Sequence, residues 1–136
     1  MLKHAAVVFA LLTTWLAVSP RHSPAQQQGI TLDVLHESPL SVSDSLMSVT
    51  IRATFAPGGT TGWHLHPGDE RAVVLEGQLE IHGADGTVRR VAAGEAYENR
   101  RNVIHETVNP GDTPTVIIAT FILPLGARIT EPVIRR

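Results

Sequence analysis

The stretch His64-Leu65-His66-Pro67-Gly68-Asp69-Glu70, answered far downstream by His105, decides how this chain is read. Side chains two apart on a β-strand share a face, so His64 and His66 project together toward one interior while Leu65 points away. Imidazole nitrogen suits the divalent ions of Fe, Mn, Ni, Cu and Zn, and the carboxylate of Glu70 adds a hard anionic oxygen. An octahedral ion held by these side chains keeps open positions for a substrate or for dioxygen.

Outward from this stretch the chain reads as short strands punctuated by turn residues. Met47, Val49, Ile51, Ala53 and Phe55 alternate with Ser48, Thr50, Arg52 and Thr54, the pattern of a strand with one face inward. Ile30 to His36 precedes it as a strand, with Ser38 to Ser45 as a loop. Pro57-Gly58-Gly59 is expected to turn the chain into the His-x-His strand, and Pro67-Gly68-Asp69 to bend it again before Ala72 to Leu75. Gly77 ends that strand, and Ala84-Asp85-Gly86 joins Gln78–His82 to Thr87–Val91 as a hairpin. Further strands are expected around Ala96 and over Ile104 to Val108. After the Asn109-Pro110-Gly111-Asp112 turn, Thr115 to Leu123 reads as an apolar strand covered on both faces. No helical period persists after the N-terminal stretch. An all-β sandwich or barrel follows, the class that includes jelly rolls.

The spacing of the histidines resembles the two signature motifs of the cupin superfamily. The first motif is matched throughout by Gly58, His64, His66, Glu70 and Gly77. In the second, Gly94, His105 and Asn109 fall in register, but Arg100 and Asn102 stand where Pro and Gly are usual. Asn tolerates positive φ nearly as Gly does; Arg has no such latitude. The resemblance spans roughly residues 45 to 125, and Trp63-His64-Leu65-His66-Pro67-Gly68 looks like a small single-domain, quercetin dioxygenase-like subgroup rather than a germin or a storage protein. It implies a double-stranded β-helix, the jelly-roll barrel of cupins. It also implies one divalent transition metal on His64, His66, Glu70 and His105, with Glu70 able to swing off the ion and serve as a base.

The remaining candidates divide by environment. His36 and His82, each isolated on a strand, read as ordinary surface histidines. Gly58, Gly77, Gly94 and Asn109 read as setters of turn conformation. Trp63 should face away from the metal, and Trp63, Phe55 and Tyr97 read as packing or pocket rim. Arg100 and Arg101 either clamp an anionic substrate at the barrel mouth or pair with Glu95, Glu98 or Glu106 on the surface.

At 136 residues there is room for one domain. Lys3-His4, the apolar run Ala5 to Val18 and the small residues of Ser23-Pro24-Ala25 form the pattern of a secretory signal peptide over residues 1–25, too short an apolar run to span a bilayer. An uncleaved anchor is the alternative. Residues 26–136 would then form a single barrel in the periplasm or outside the cell. Without Lys3 and Arg21 that chain carries nine arginines against 13 acidic residues, a net charge of about −4. This argues against nucleic acid or an anionic membrane surface as partner. There is no cysteine, so no disulfide and no lipoprotein anchor. Ser/His/Asp triads, phosphate loops and cysteine-based zinc spacing are absent, which removes nucleophilic hydrolysis and nucleotide chemistry.

The resulting expectation is a metal-dependent enzyme of dioxygenase type on a small organic substrate. The alternatives are a non-catalytic small-ligand carrier or sensor, and an isomerase or lyase built on the same ligands. The resemblance also implies a homodimer formed by exchange of an edge strand, with Ile30 to His36 as the exchanged piece.

Overall fold

The computed structural model describes residues 28–134, which contain strands and loops and no helix. Ten strands form one antiparallel, nearly closed barrel: β1 (Gln28–Pro39), β2 (Leu46–Thr60), β3 (His64–Leu65), β4 (Asp69–Glu76), β5 (Gln78–Gly83), β6 (Val88–Ala92), β7 (Ala96–Asn99), β8 (His105–Val108), β9 (Thr115–Pro124) and β10 (Glu131–Pro132). One wall runs β1-β2-β9-β4-β7 and the other β10-β3-β8-β5-β6, joined where Thr60 of β2 meets Val108 of β8. This is the jelly-roll architecture expected from the sequence.

Strand parity builds the core. Met47, Val49, Ile51, Ala53 and Phe55 of β2 and Ile117, Ala119, Phe121 and Leu123 of β9 are all buried on the inner face. On β2 and β9 the outer face carries the register pair Thr50 and Thr120, whose hydroxyls lie 2.9 Å apart. The other face of β9 is half-buried rather than covered, because no second layer lies over it among the described residues. The same parity puts Glu70 inward with Ala72 and Val74 on β4, Asn99 inward with Tyr97 on β7, and His105 inward with Thr107 on β8.

The expected turn at Pro57-Gly58-Gly59 is instead part of β2, which continues to Thr60. Opposite it, the pairing of β1 jumps from Ile30↔Phe55 to Gln28↔Thr60, so the segment is an irregularity within a paired strand. Gly58 takes φ 70 there, so the left-handed conformation is present but the reversal is not. Likewise β1 runs on to Pro39, through the start of the expected loop.

Asn109 sets its turn, as expected, and is also a clip. Fully buried, its amide donates to the carbonyls of Phe55, Ala56 and Thr113, and its Oδ1 accepts from Gly111 N, tying β2 to the loop before β9. Asn102, at the position where Gly is usual, has φ 61 and is the one non-glycine residue with positive φ among those described.

Candidate metal centre

His64 and His105 are register partners on β3 and β8, and His66 follows on the same inward face. All three rings are buried, with centroids 4.3 to 5.1 Å apart. Each ring is locked through Nδ1 to a backbone carbonyl: His64 to Gly62 O at 2.8 Å, His66 to Ile129 O at 2.6 Å, His105 to Val103 O at 2.9 Å. A carbonyl only accepts, so each Nδ1 carries the hydrogen and each Nε2 presents a bare lone pair, a tautomer assigned from these bonds. The Nε2 atoms of His64 and His66 face each other at 3.3 Å, and one donor nitrogen from each of the three rings lies within 4.8 Å of the others.

Glu70, at the start of β4, lies beside this group of three rather than within its 4.8 Å spread. Its Oε2 lies 3.4 Å from His66 Nε2 and 4.0 Å from His105 Nε2. Burial alone would raise the Glu70 carboxyl, but the His66 ring beside it and the Asn99 amide that donates to it hold it below its usual range. Burial, with His105 alongside, pushes His64 down to about 3; burial also lowers His105. The rings of His64 and His105 are therefore neutral at physiological pH, the form that donates to a metal. Bare nitrogens converging beside a carboxylate, each ring held by a second hydrogen bond to backbone, are the donor set of a divalent transition metal. The residues present fit such an ion.

Of two further residues at the site, Asn99 was not assigned to it by sequence and Tyr97 was read as packing or pocket rim, which its place in the lining bears out. Asn99, the register partner of Glu70 across β4 and β7, donates from Nδ2 to Glu70 Oε2 at 2.7 Å and lies 3.1 Å from His105 Nε2. Tyr97, two residues earlier on the same face, donates to Glu70 Oε1 at 3.4 Å. Burial and the Glu70 charge raise its phenol well above the usual value, so it stays a donor. Alternation of exposed Ala96 and Glu98 with buried Tyr97 and Asn99 is the signal that could have found Asn99.

Beyond the ligands the cavity wall is apolar. Ile51, Ala53 and Phe55 of β2, Ile117 and Phe121 of β9, and Ile30 and Leu32 of β1 line it, with the hydroxyls of Thr61, Thr107 and Thr130. Phe121 packs on His66 at 4.9 Å between centroids. Glu70 is the one carboxylate in this lining, and no arginine is part of it. Arg100 lies outside, its Nε 3.2 Å from Glu98 Oε1 on an exposed surface, and Arg101 is exposed with its backbone N–H bonded to Asp69. The surface pairing expected as the alternative to an anion clamp is what Arg100 makes. His36 contacts Ser38 and His82 contacts Glu80, both away from the site, as read from sequence.

Comparison with known proteins places these observations. The model of the cupin domain family matches residues 51–121, from the inner strand β2 to Phe121, spanning all four converging side chains. The chain is a cupin. Among curated proteins this cupin is 33% identical over 86 residues to the rhicadhesin receptor of Pisum sativum, covering 60% of its own length and 40% of that protein. It is 34% identical over 79 residues to oxalate oxidase 1 of Hordeum vulgare, covering 52% and 39%. It thus spans about two-fifths of these relatives. The sequence likeness to curated proteins runs to germin-like proteins, whereas the subgroup expected from the sequence was quercetin dioxygenase-like. A solved cupin domain from Bordetella pertussis matches with TM-score 0.55 and 27% identity over 69% of this chain and 93% of that one. The polyketide cyclase RemF of Streptomyces resistomycificus, at TM-score 0.63 and 21% identity, covers 82% and 75% and shares the fold.

Proposed function

We propose that this cupin binds one divalent transition metal through His64, His66, His105 and Glu70 and uses it to oxidise a small organic molecule outside the cytoplasm. The observation that carries the reading is the convergence of bare Nε2 lone pairs, fixed by backbone carbonyls, in a buried site with an adjacent carboxylate. Likeness to an oxalate oxidase supports oxidoreductase chemistry. The lining supports a different substrate from oxalate. A dianion held by the ion through one carboxylate would leave the other against apolar walls with no cationic side chain among the described lining residues, an expensive burial. A small, mostly apolar molecule with a single acidic or enolic oxygen fits the walls and their threonine hydroxyls.

Bound at these residues, the ion would supply Lewis acidity and, if redox-active, an electron path to dioxygen. The chain supplies the rest. Glu70, ionised and in reach of the ligand nitrogens, accepts a proton from the substrate oxygen. Tyr97 and Asn99 hold its two oxygens, and the apolar wall excludes water. The apolar lining equally favours a second reading, a carrier or sensor that holds such a molecule without turning it over.

The test is to purify the protein from its native compartment, determine its metal content and N-terminus, and follow dioxygen uptake with small phenols and enols beside oxalate. One equivalent of a first-row metal, a start near Gln26 and uptake with a phenol or enol are expected. Absence of metal overturns the metal centre, and uptake with oxalate alone overturns the substrate class.

A further inference from the structure

Position 99 is one that the second motif leaves unspecified, yet it places a buried amide against two of the four converging side chains. The amide's orientation is fixed from behind. Arg89 Nη2 lies 3.3 Å from Asn99 Oδ1 and donates at 2.9 Å to Glu98 O, with its guanidinium 5.7 Å from the centroid of the Tyr97 ring. A guanidinium only donates, so Oδ1 must face Arg89 and the NH2 group must face the site. Of its two hydrogens, one goes to Glu70 Oε2 at 2.7 Å and the other to His105 Nε2 at 3.1 Å.

These two acceptors differ in capacity. A carboxylate oxygen has two lone pairs and can accept from an amide while it also binds an ion. An imidazole nitrogen whose partner Nδ1 carries the hydrogen has a single lone pair, in the ring plane. His105 Nδ1 is committed to Val103 O, so its Nε2 serves either the Asn99 amide or a metal. We propose that Asn99, oriented by Arg89, competes with the metal for His105 Nε2. Metal binding at His105 breaks one hydrogen bond of Asn99 and leaves the other intact. The competition sets the affinity of the site below what its four ligands alone would give, and it rests on the metal-centre reading above.

Tyr97 still donates to Glu70 when Asn99 is removed, so a merely structural Asn99 would leave metal binding equal or weaker, whereas a competitor strengthens it. In the full mature chain, stripped with a chelator and titrated with Zn2+ against a chromogenic competitor, Asn99→Leu is expected to bind about two- to tenfold more tightly than wild type. That factor is the net worth of one neutral hydrogen bond. Affinity equal to or weaker than wild type in a folded Asn99→Leu protein overturns the inference. A second measurement needs no variant: the side-chain amide of Asn99 is followed by 15N NMR in the wild type during the Zn2+ titration. One of its two hydrogens is expected to lose its hydrogen-bonded shift while the other, tied to Glu70, stays. Both unmoved, or both displaced together, overturns the inference and leaves the metal centre standing. A wild type that takes up no Zn2+ overturns both.

Discussion

His64 and His66 are the residues on which the metal reading can be tested most directly. Replacing either with Ala removes a ligand nitrogen whose geometry the Gly62 or Ile129 carbonyl fixes. Bound metal is expected to fall sharply, and with it the metal-dependent rise in melting temperature, since an ion that binds only the folded state stabilises by mass action. Metal analysis and melts with and without chelator check this; full metal content in both variants would exclude them as ligands. The same residues set an acid dependence. The unfolded chain protonates His64 near its ordinary 6.5, whereas the folded chain resists until about 3, so stability falls as pH drops from 6.5 toward 3. Glu70, held below its usual 4.5, adds to the loss in the same direction below that value. Each group contributes a slope of at most about 1.4 kcal/mol per pH unit. Urea unfolding of metal-stripped protein across this range measures it, and a flat profile would count against a buried neutral His64. The four converging side chains were legible because their spacing is a sequence property. Asn99 was not, because its partner Glu70 is distant in sequence and only strand pairing brings the two together.

Between β3 and β4, Gly68 lies against the backbone of β9. A Cβ at this position would overlap the Ile122 carbonyl, and neither strand can yield without breaking the pairing of Asp69 with Ile122. Gly68→Ala is expected to destabilise the fold by about 3 kcal/mol, read as a lower urea midpoint at unchanged slope. No measurable change would mean that the segment between His66 and Glu70 is freer than its packing implies. At this scale the sequence was most informative where alternation was strict, as in β2, and least where local chemistry and pairing disagreed. Pro57-Gly58-Gly59 has the composition of a turn, and Gly58 does take a left-handed conformation. Pairing on both flanks nevertheless carries β2 through to Thr60. Periodicity likewise could not show that the outer face of β9 is only half-covered, since a run of apolar residues is compatible with either environment.

Across the whole molecule, β1 widens one wall beyond the barrel and pairs only with β2 among the described residues. Leu32 and Val34 share the inward side of that wall yet are 44% and 60% exposed, because no strand among the described residues lies opposite them. The expected exchange of this strand with a second copy remains a proposal that these exposed residues support. The signal peptide expected over residues 1–25 lies outside the described residues. At the other end, β10 pairs with β3, and the segment leading into it supplies the Ile129 carbonyl that holds His66. Deleting residues 125–136 should therefore weaken Zn2+ binding markedly while the far-ultraviolet β signature is retained. Undiminished affinity in a folded truncation would show that the His66 tautomer is set elsewhere. The His66–Ile129 bond spans 63 residues of chain, and this fixes an order of events. A ribosome that has made all three histidines and Glu70 has still not made the group that aligns the second imidazole. A growing polypeptide therefore cannot present the aligned cluster until the segment carrying Ile129 has emerged.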